Sequence, residues 1–435
     1  MKTLERYLKK RADNESRSLE VDSMNTIDQV IVIPAYNELD FLPDTLESLS
    51  KQSSDLLKNT LVLIVVNNRA PQFEDDFVIQ NSQTTVEFIR DMIDNSGPWG
   101  HWNLRAGLID ASSPGKELAE NEGVGTARKL GLDWGLELFY RQQSHGTLIC
   151  LDGDSPVAPD YLSRIAETFA RPDAWAAVLE YAHPLTGSLE EQHAIAQYES
   201  YLRLHKLGLH YAGAKHAFHT IGSTMACTTK AYAAISGMNS KLAGEDFYFL
   251  QQLVKTGPVE TIQDVVVYPA SRTSDRVPFG TGRALMEILD NPEDPYGMYH
   301  AKSYKVLKEW LDAVDQSPDD AGGTLLIKSA LIDIGLTTFL ESIGFKNYWA
   351  KFKENTSNNE KLLEQFHGWF DGLTTLKCIH HLRDHGLEKQ TLAEVATQLS
   401  EWFEKEKGIT LFDAPPSPDP IELLNQLRSI PVIPG

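Results

Sequence analysis

The sequence predicts an α/β protein: a mixed, mainly parallel β-sheet flanked by helices, followed by an all-helical C-terminal appendage. Three observations predict it. Short apolar runs, Gln29 to Pro34, Leu61 to Val66 and Thr147 to Leu151, alternate with amphipathic stretches, the pattern of parallel strands joined by crossover helices. Each run ends in a polar cluster: Pro34-Ala35-Tyr36-Asn37-Glu38, Asn67-Asn68-Arg69 and Asp152-Gly153-Asp154. Carboxyl ends of parallel strands are where open α/β sheets bind ligands. From about residue 300 strand patterns cease and only helical spacing persists. The reading is therefore a helical extension over 1–27, an α/β domain over 28–295 and a helical domain over 296–435.

Taken in order, residues 1–26 are polar, with Leu4, Tyr7 and Leu8 at helical spacing, which predicts an external helix without a function. The strand closed by Pro34 is followed by a helix with Leu39, Leu42, Leu46 and Leu49 on one face. A third strand, Leu104 to Ile109, follows the aromatic segment Trp99-Gly100-His101-Trp102. The next helix opens Glu122-Gly123-Val124-Gly125-Thr126-Ala127-Arg128-Lys129, after a segment containing Lys116. Glycines there let backbone N–H groups approach an anion, and Arg128 and Lys129 add charge. The third glycine of a dinucleotide fingerprint is absent.

Thr147 to Leu151 is apolar or β-branched throughout, a strand buried on both faces. Asp152 and Asp154 then repel each other and lose solvation unless a cation joins them, and a hard divalent ion bridging to a diphosphate is one solution. Asp-Gly is also an ordinary turn signal with solvated carboxylates. A helix near Pro159, a strand from Ala176 to Tyr181 and the segment Gly222-Ser223-Thr224-Met225 follow. Gly237-Met238 and Ala243-Gly244 precede Glu245-Asp246, which open an apolar helix, the end where carboxylates suit the dipole. A strand from Val265 to Tyr268 leads to the arginine segment containing Arg272, Arg276 and Arg283. In the last third, Thr391 and Glu394 form a capping box, Leu392, Val395, Ala396, Leu399, Trp402 and Phe403 make one stripe, and Gly408 stops the helix.

Composition excludes several classes. The 435 residues carry 61 acidic and 40 basic side chains, a net charge of -21, which disfavours nucleic acid and anionic membranes as partners. No apolar run reaches the roughly 18 residues of a membrane span, and Met1 to Leu19 is charged rather than signal-like. Three widely spaced cysteines, Cys150, Cys227 and Cys378, read as reduced thiols, so the expected location is cytoplasmic. Residues 183–219 hold six histidines, none paired at the i, i+4 spacing of a helical zinc motif. His216 and His219 are the candidates for an extra metal ligand, and Tyr198, Tyr201 and Tyr211 read as packed aromatics or as a platform for an acceptor sugar.

Ile31-Val32-Ile33-Pro34-Ala35-Tyr36-Asn37-Glu38, the helix with Gly123, Ala127 and Arg128, Leu151-Asp152-Gly153-Asp154, and Glu245-Asp246 together resemble the successive landmarks of family 2 glycosyltransferases of the GT-A fold. The resemblance covers about residues 28–290 and implies a Rossmann-type GT-A-like domain that binds a nucleotide-diphosphate sugar. By it, Pro34, Ala35, Tyr36, Asn37, Glu38, Asn67, Arg128, Asp152 and Gly153 hold the donor, and Asp152 and Asp154 hold Mg²⁺ or Mn²⁺. Asp246 is the general base of an inverting transfer to an acceptor hydroxyl, with Glu245 orienting the acceptor. From the residues themselves, Gly222, Ser223, Arg272 and Arg276 are candidates for an acceptor or diphosphate loop, with a solvated arginine loop as the alternative for the arginines. One departure concerns the base: Asn67-Asn68-Arg69-Ala70 stands where many members have Asp-Asp-Gly-Ser, and an amide offers a different donor and acceptor pattern from a carboxylate. The sugar, nucleotide and acceptor stay open. So do three alternatives: a retaining enzyme, a nucleotidyltransferase, and a silent sugar-nucleotide-binding scaffold. Self-association through the helical domain is the remaining partner expectation.

Overall fold

The computed structural model describes the chain except residues 13–16, 23–24, 97–101, 242–243, 275–279, 292–295, 432 and 434–435, and the side chain of Val265. The described chain forms two compact units, one of residues 1–184 and 220–280 and one of residues 185–219 and 281–435.

The first unit is built on an eight-stranded mixed sheet: β1 (Leu19–Val21), β2 (Gln29–Ala35), β3 (Thr60–Asn67), β4 (Arg105–Ala111), β5 (Thr147–Cys150), β6 (Ala176–Tyr181), β7 (Met225–Thr228) and β8 (Val259–Val267), in the order β1-β4-β3-β2-β5-β7-β6-β8. β2 pairs in parallel with both β3 and β5, and β3 with β4. β7 is inserted antiparallel between β5 and β6, and β1 closes the far edge antiparallel to β4. Every residue of β2, β3, β5 and β6 is buried, as expected for strands covered on both faces. From β2 the chain winds outward through β3 and β4, then returns to place β5 on the other side of β2. Such a reversal marks the carboxyl ends of β2 and β5 as the place where open α/β sheets form a ligand crevice.

Around the sheet lie α1 (Lys2–Lys10), α2 (Leu42–Ser50), α3 (Ser54–Leu57), α4 (Asp76–Ile93), α5 (Val124–Arg141) and α6 (Tyr161–Phe169); α7 (Leu189–Tyr211) belongs to the second unit, and α8 (Thr229–Ala234) and α9 (Glu245–Thr256) complete the first. α5 crosses the sheet closely at Gly131, where a Cβ would overlap Val32. Gly131→Ala is therefore expected to cost about 1–3 kcal/mol by overpacking, read as a lower urea midpoint at unchanged slope.

Several elements differ from the sequence expectation. The strand expected at Val265 to Tyr268 begins six residues earlier, at Val259, and ends at Val267. β1 was not anticipated, since three residues show no periodicity and only pairing with β4 defines them. α4 and α7 were likewise unread, although Ser188 and Glu191 form a capping box at the start of α7. Trp99, Gly100 and His101 lie outside the described residues; Trp102 is buried against Phe88.

The second unit is helical in its described residues, apart from an isolated antiparallel bridge between Met298 and Gln390. Besides α7 it comprises α10 (Thr281–Asp290), α11 (Ala301–Asp315), α12 (Gly322–Ile332), α13 (Ile334–Ser342), α14 (Phe345–Asn355), α15 (Asn359–Trp369), α16 (Gly372–Asp384), α17 (Leu392–Lys407) and α18 (Pro420–Arg428). Trp310, Phe345, Trp349, Phe366 and Phe403 centre its core. The Thr391–Glu394 capping box and the left-handed Gly408 at the end of α17 are present. Glu199 of α7, fully buried, pairs with Arg203 (2.8 Å) and with Arg428 of α18 (2.7 Å). Tyr211 packs on Trp402 and Phe403, while Tyr198 and Tyr201 pack on Tyr296. These tyrosines are core aromatics of the helical unit. Burial pushes the His205 imidazole down to about 3 and that of His216 to about 4, so both are neutral. Among the described residues no group of three or more His, Cys, Asp or Glu is arranged to hold a metal, and no helix is long and apolar enough to cross a membrane. All three cysteines are free and buried.

Candidate functional site

The turns that follow β2 and β5 meet at the carboxyl ends of these strands. After β2 the chain turns at Asn37, whose φ of +52° is left-handed and tolerable for asparagine. That turn directs Glu38 inward, 6% exposed. After β5, Gly153 lies so close to Glu38 that its own Cβ would stand 3.2 Å from the glutamate Cβ, and its carbonyl accepts from Thr45 Oγ1 at 2.9 Å. The glycine of Asp-Gly-Asp thus serves close approach between the two turns.

Each of those carboxylates meets a different arginine. Asp154 Oδ2 accepts from Arg272 Nε at 3.0 Å and Nη2 at 2.7 Å, and Arg272 Nη2 also reaches both oxygens of Glu38 at 2.6 and 2.7 Å. The guanidinium lies 4.1 Å from the centre of the Phe41 ring, a cation–π contact. Asp152 Oδ1 accepts from Arg128, whose other terminal nitrogen donates to Glu245 Oε1. Arg128 is 3% exposed, and a Cβ on Gly222 would overlap its guanidinium. Burial opposes its charge, but Asp152 and Glu245 outweigh that and hold it fully protonated.

Arg128 therefore joins the turn after β5 to the first turn of α9, where Glu245 is buried and Asp246 half-buried. Asp246 Oδ1 accepts from the Phe247 amide at 2.7 Å. Burial first, and the neighbouring Glu245 charge second, push the Asp246 carboxyl up to about 7, against the lowering effect of Arg128. A carboxyl poised there exchanges a proton near neutrality.

Asn67, expected from the sequence to contact the donor, is the last residue of β3. Asn67 is 4% exposed, and its side-chain carbonyl oxygen is buried without a hydrogen-bond partner among the described residues. Asn68 donates to Arg69 O at 2.8 Å, and its own carbonyl oxygen is similarly unpartnered. Tyr36 donates to Glu74 at 2.7 Å, and burial followed by Glu74 pushes its phenol up to about 12. Glu74 also receives Arg69, a link that sequence reasoning missed. Pro34 and Ala35 are the last residues of β2. Lys116 pairs with Asp110 at 3.1 Å. Although burial alone would raise it, hydrogen bonds from Ser113, Lys116 and Ser112 hold the Asp110 carboxyl down to about 2.

Ser223, fully buried, has a hydroxyl without a hydrogen-bond partner among the described residues, in the turn before β7 and beside the Gly222 that packs on Arg128. Arg276 lies outside the described residues, as does Ala243. Arg283 is half-exposed on α10 and paired with Glu287.

The sequence matches no protein-family profile and no curated protein. Solved structures do match. Among them is S. aureus TarS 1-349 in complex with UDP-GlcNAc, 13% identical over 78% of this chain and 91% of that chain, with a TM-score of 0.41. S. aureus TarS is 12% identical over 74% of this chain and 54% of that one, TM-score 0.40, so this chain spans about half its length. The mannosyltransferase PcManGT from Pyrobaculum calidifontis, in complex with GDP-Man and Mn²⁺, is 15% identical over 88% of this chain and 93% of that chain, TM-score 0.38.

Proposed function

We propose that the protein is an inverting glycosyltransferase of GT-A type that transfers a sugar from a nucleotide-diphosphate donor to an acceptor hydroxyl. The observation that carries this reading is the Arg128 guanidinium, buried and shared between Asp152 of the Asp-Gly-Asp turn and Glu245 beside Asp246. It ties a candidate diphosphate site to a carboxyl that titrates near neutrality.

The donor set suits a divalent cation. Around the crevice stand five carboxylates, Glu38, Asp152, Asp154, Glu245 and Asp246, against two arginines, Arg128 and Arg272. A diphosphate would deepen that excess of negative charge. Among the described residues no group of three or more His, Cys, Asp or Glu is arranged to hold a metal, so the shell of a bound ion would have to be completed by water and substrate phosphate oxygens. Asp152 and Asp154 would hold Mg²⁺ or Mn²⁺, which supplies Lewis-acid stabilisation of charge on the leaving diphosphate.

The chain's own residues supply the rest. Asn67 and Asn68, whose side-chain carbonyl oxygens are buried and unpartnered among the described residues, would accept from donors on a nucleobase or ribose that reaches them. Arg272 releases Glu38 or Asp154 to reach a phosphate, an exchange of one oxyanion for another. Asp246 takes the proton of the acceptor hydroxyl as its oxygen bonds to the anomeric carbon, while the bond to the diphosphate breaks and its electron pair leaves with phosphate. Attack opposite the leaving group inverts the anomeric centre, which an NMR coupling constant of the product reads. A retained anomer would remove Asp246 from this role.

The first test is a thermal-shift panel of UDP, GDP, CMP and their sugar conjugates, each with Mn²⁺ and with EDTA, on wild type and Asp152→Ala. At a hundredfold excess over Kd, binding stabilises by about 2.7 kcal/mol. One nucleotide series should raise Tm only with metal, and Asp152→Ala should lose that shift. A metal-independent shift surviving in Asp152→Ala would overturn the assignment of the turn.

A further inference from the structure

The N-terminal helix, assigned no function from its sequence, is fastened to the loop that delivers Asp246. Tyr7 of α1 donates to Asp133 Oδ1 at 2.6 Å, Tyr232 of α8 donates to the same oxygen at 2.7 Å, and Lys129 pairs with the other. Asp133 is completely buried on α5, and the Tyr7 and Tyr232 rings meet edge to face at 5.4 Å. Such a carboxylate is fixed by its charge-assisted bonds, so α1, α5 and α8 are locked together.

The Tyr7 hydroxyl also occupies the place a Cβ on Gly237 would take, where the chain leaves α8 in a left-handed conformation (φ +79°). Beyond Gly237, the carbonyls of Asn239 and Lys241 lie against Gly125 in the first turn of α5, where again a Cβ would collide. Asn239 Nδ2 donates to the Glu245 carbonyl at 3.4 Å. The described part of the loop, Gly237 to Lys241, is thus held between Tyr7 and the helix turn that carries Arg128, just before Glu245 and Asp246.

We propose that Tyr7 is a positioning residue: through Gly237 it sets the loop that places Asp246 against the acceptor. The inference rests on the transferase reading for its catalytic consequence and on the contacts above for its geometry. Small displacements of a reacting group cost turnover steeply, about 10²-fold for 1 Å.

The test compares Tyr7→Phe with Leu4→Ala, which removes another buried side chain of α1 (1% exposed) without touching Gly237. Release of UDP from UDP-GlcNAc and of GDP from GDP-mannose is followed with Mn²⁺ well below the Tm of each variant, alongside amide hydrogen exchange. Tyr7→Phe should lower kcat about tenfold with donor KM within about twofold, and speed exchange at 237–241 and 245–249. Leu4→Ala should lower Tm further yet keep kcat. A kcat that follows Tm across both variants, or unchanged exchange at 237–249 in Tyr7→Phe, would overturn the proposal. Absence of nucleotide release by wild type would count against the transferase reading with these donors, and the exchange comparison would still decide the positioning.

Discussion

Asp246→Asn is expected to lower turnover by about 10²–10⁴-fold, the usual contribution of a positioned base, while the nucleotide-induced thermal shift persists. The amide keeps the size of the carboxyl but cannot accept the acceptor proton. Because burial and Glu245 push the Asp246 carboxyl up to about 7, wild-type kcat/KM should rise with pH through an acid limb near that value. Stability should run the other way. With its folded pKa raised from 3.8 to about 7, the carboxyl binds its proton more tightly in the native state, so its contribution is fully present below about pH 4 and is lost as pH rises through 7. Asp246→Asn should flatten that loss, giving a smaller fall in Tm between pH 5 and 8 than wild type. Turnover within a few-fold of wild type, with an unmoved acid limb, would exclude Asp246 as the base.

Arg128→Met should be the most destabilising single change at the site. It leaves the buried Glu245 and the partly buried Asp152 without their shared cation, and breaking a buried pair by removing one partner costs about 3–5 kcal/mol. Unfolding in urea should show that loss, together with disappearance of the metal-dependent nucleotide shift. Arg128→Lys should recover little, because an ammonium cannot present two separate nitrogens in one rigid fork to two carboxylates. Near-wild-type stability of Arg128→Met would mean that Glu245 is satisfied in some other way.

Much of this site was legible in the sequence wherever the signal is local. The runs Gln29 to Ala35 and Thr147 to Leu151 are apolar because both faces are covered, and hydropathy records that directly. Asp152-Gly153-Asp154 and Glu245-Asp246 were visible as carboxylates at element ends. What joins them was not. The partners of Arg128 lie 24 and 117 residues away, and those of Arg272 lie 118 and 234 away; no periodicity encodes such pairings. Lys116 pairs with Asp110 across a turn, another contact that no periodicity announces. Tyr7 read as one member of a helical stripe, and its contact with Gly237 arises only when α1 and α8 meet on α5. β1 is defined by its hydrogen bonds to β4 rather than by any pattern of its own.

The α/β unit is not a continuous stretch of chain: after Pro184 the polypeptide departs to form α7, whose Leu204, Leu207 and Tyr211 are buried among the C-terminal helices, and it returns at Thr220 to supply β7. Ribosomal synthesis delivers α7 well before those helices exist. A nascent or truncated chain ending near residue 280 would hold a complete sheet and an orphaned amphipathic helix. A chain cut near residue 280 would therefore expose the face of α7 that Leu204, Leu207 and Tyr211 occupy, and a version limited to the α/β unit would need α7 excised or resurfaced.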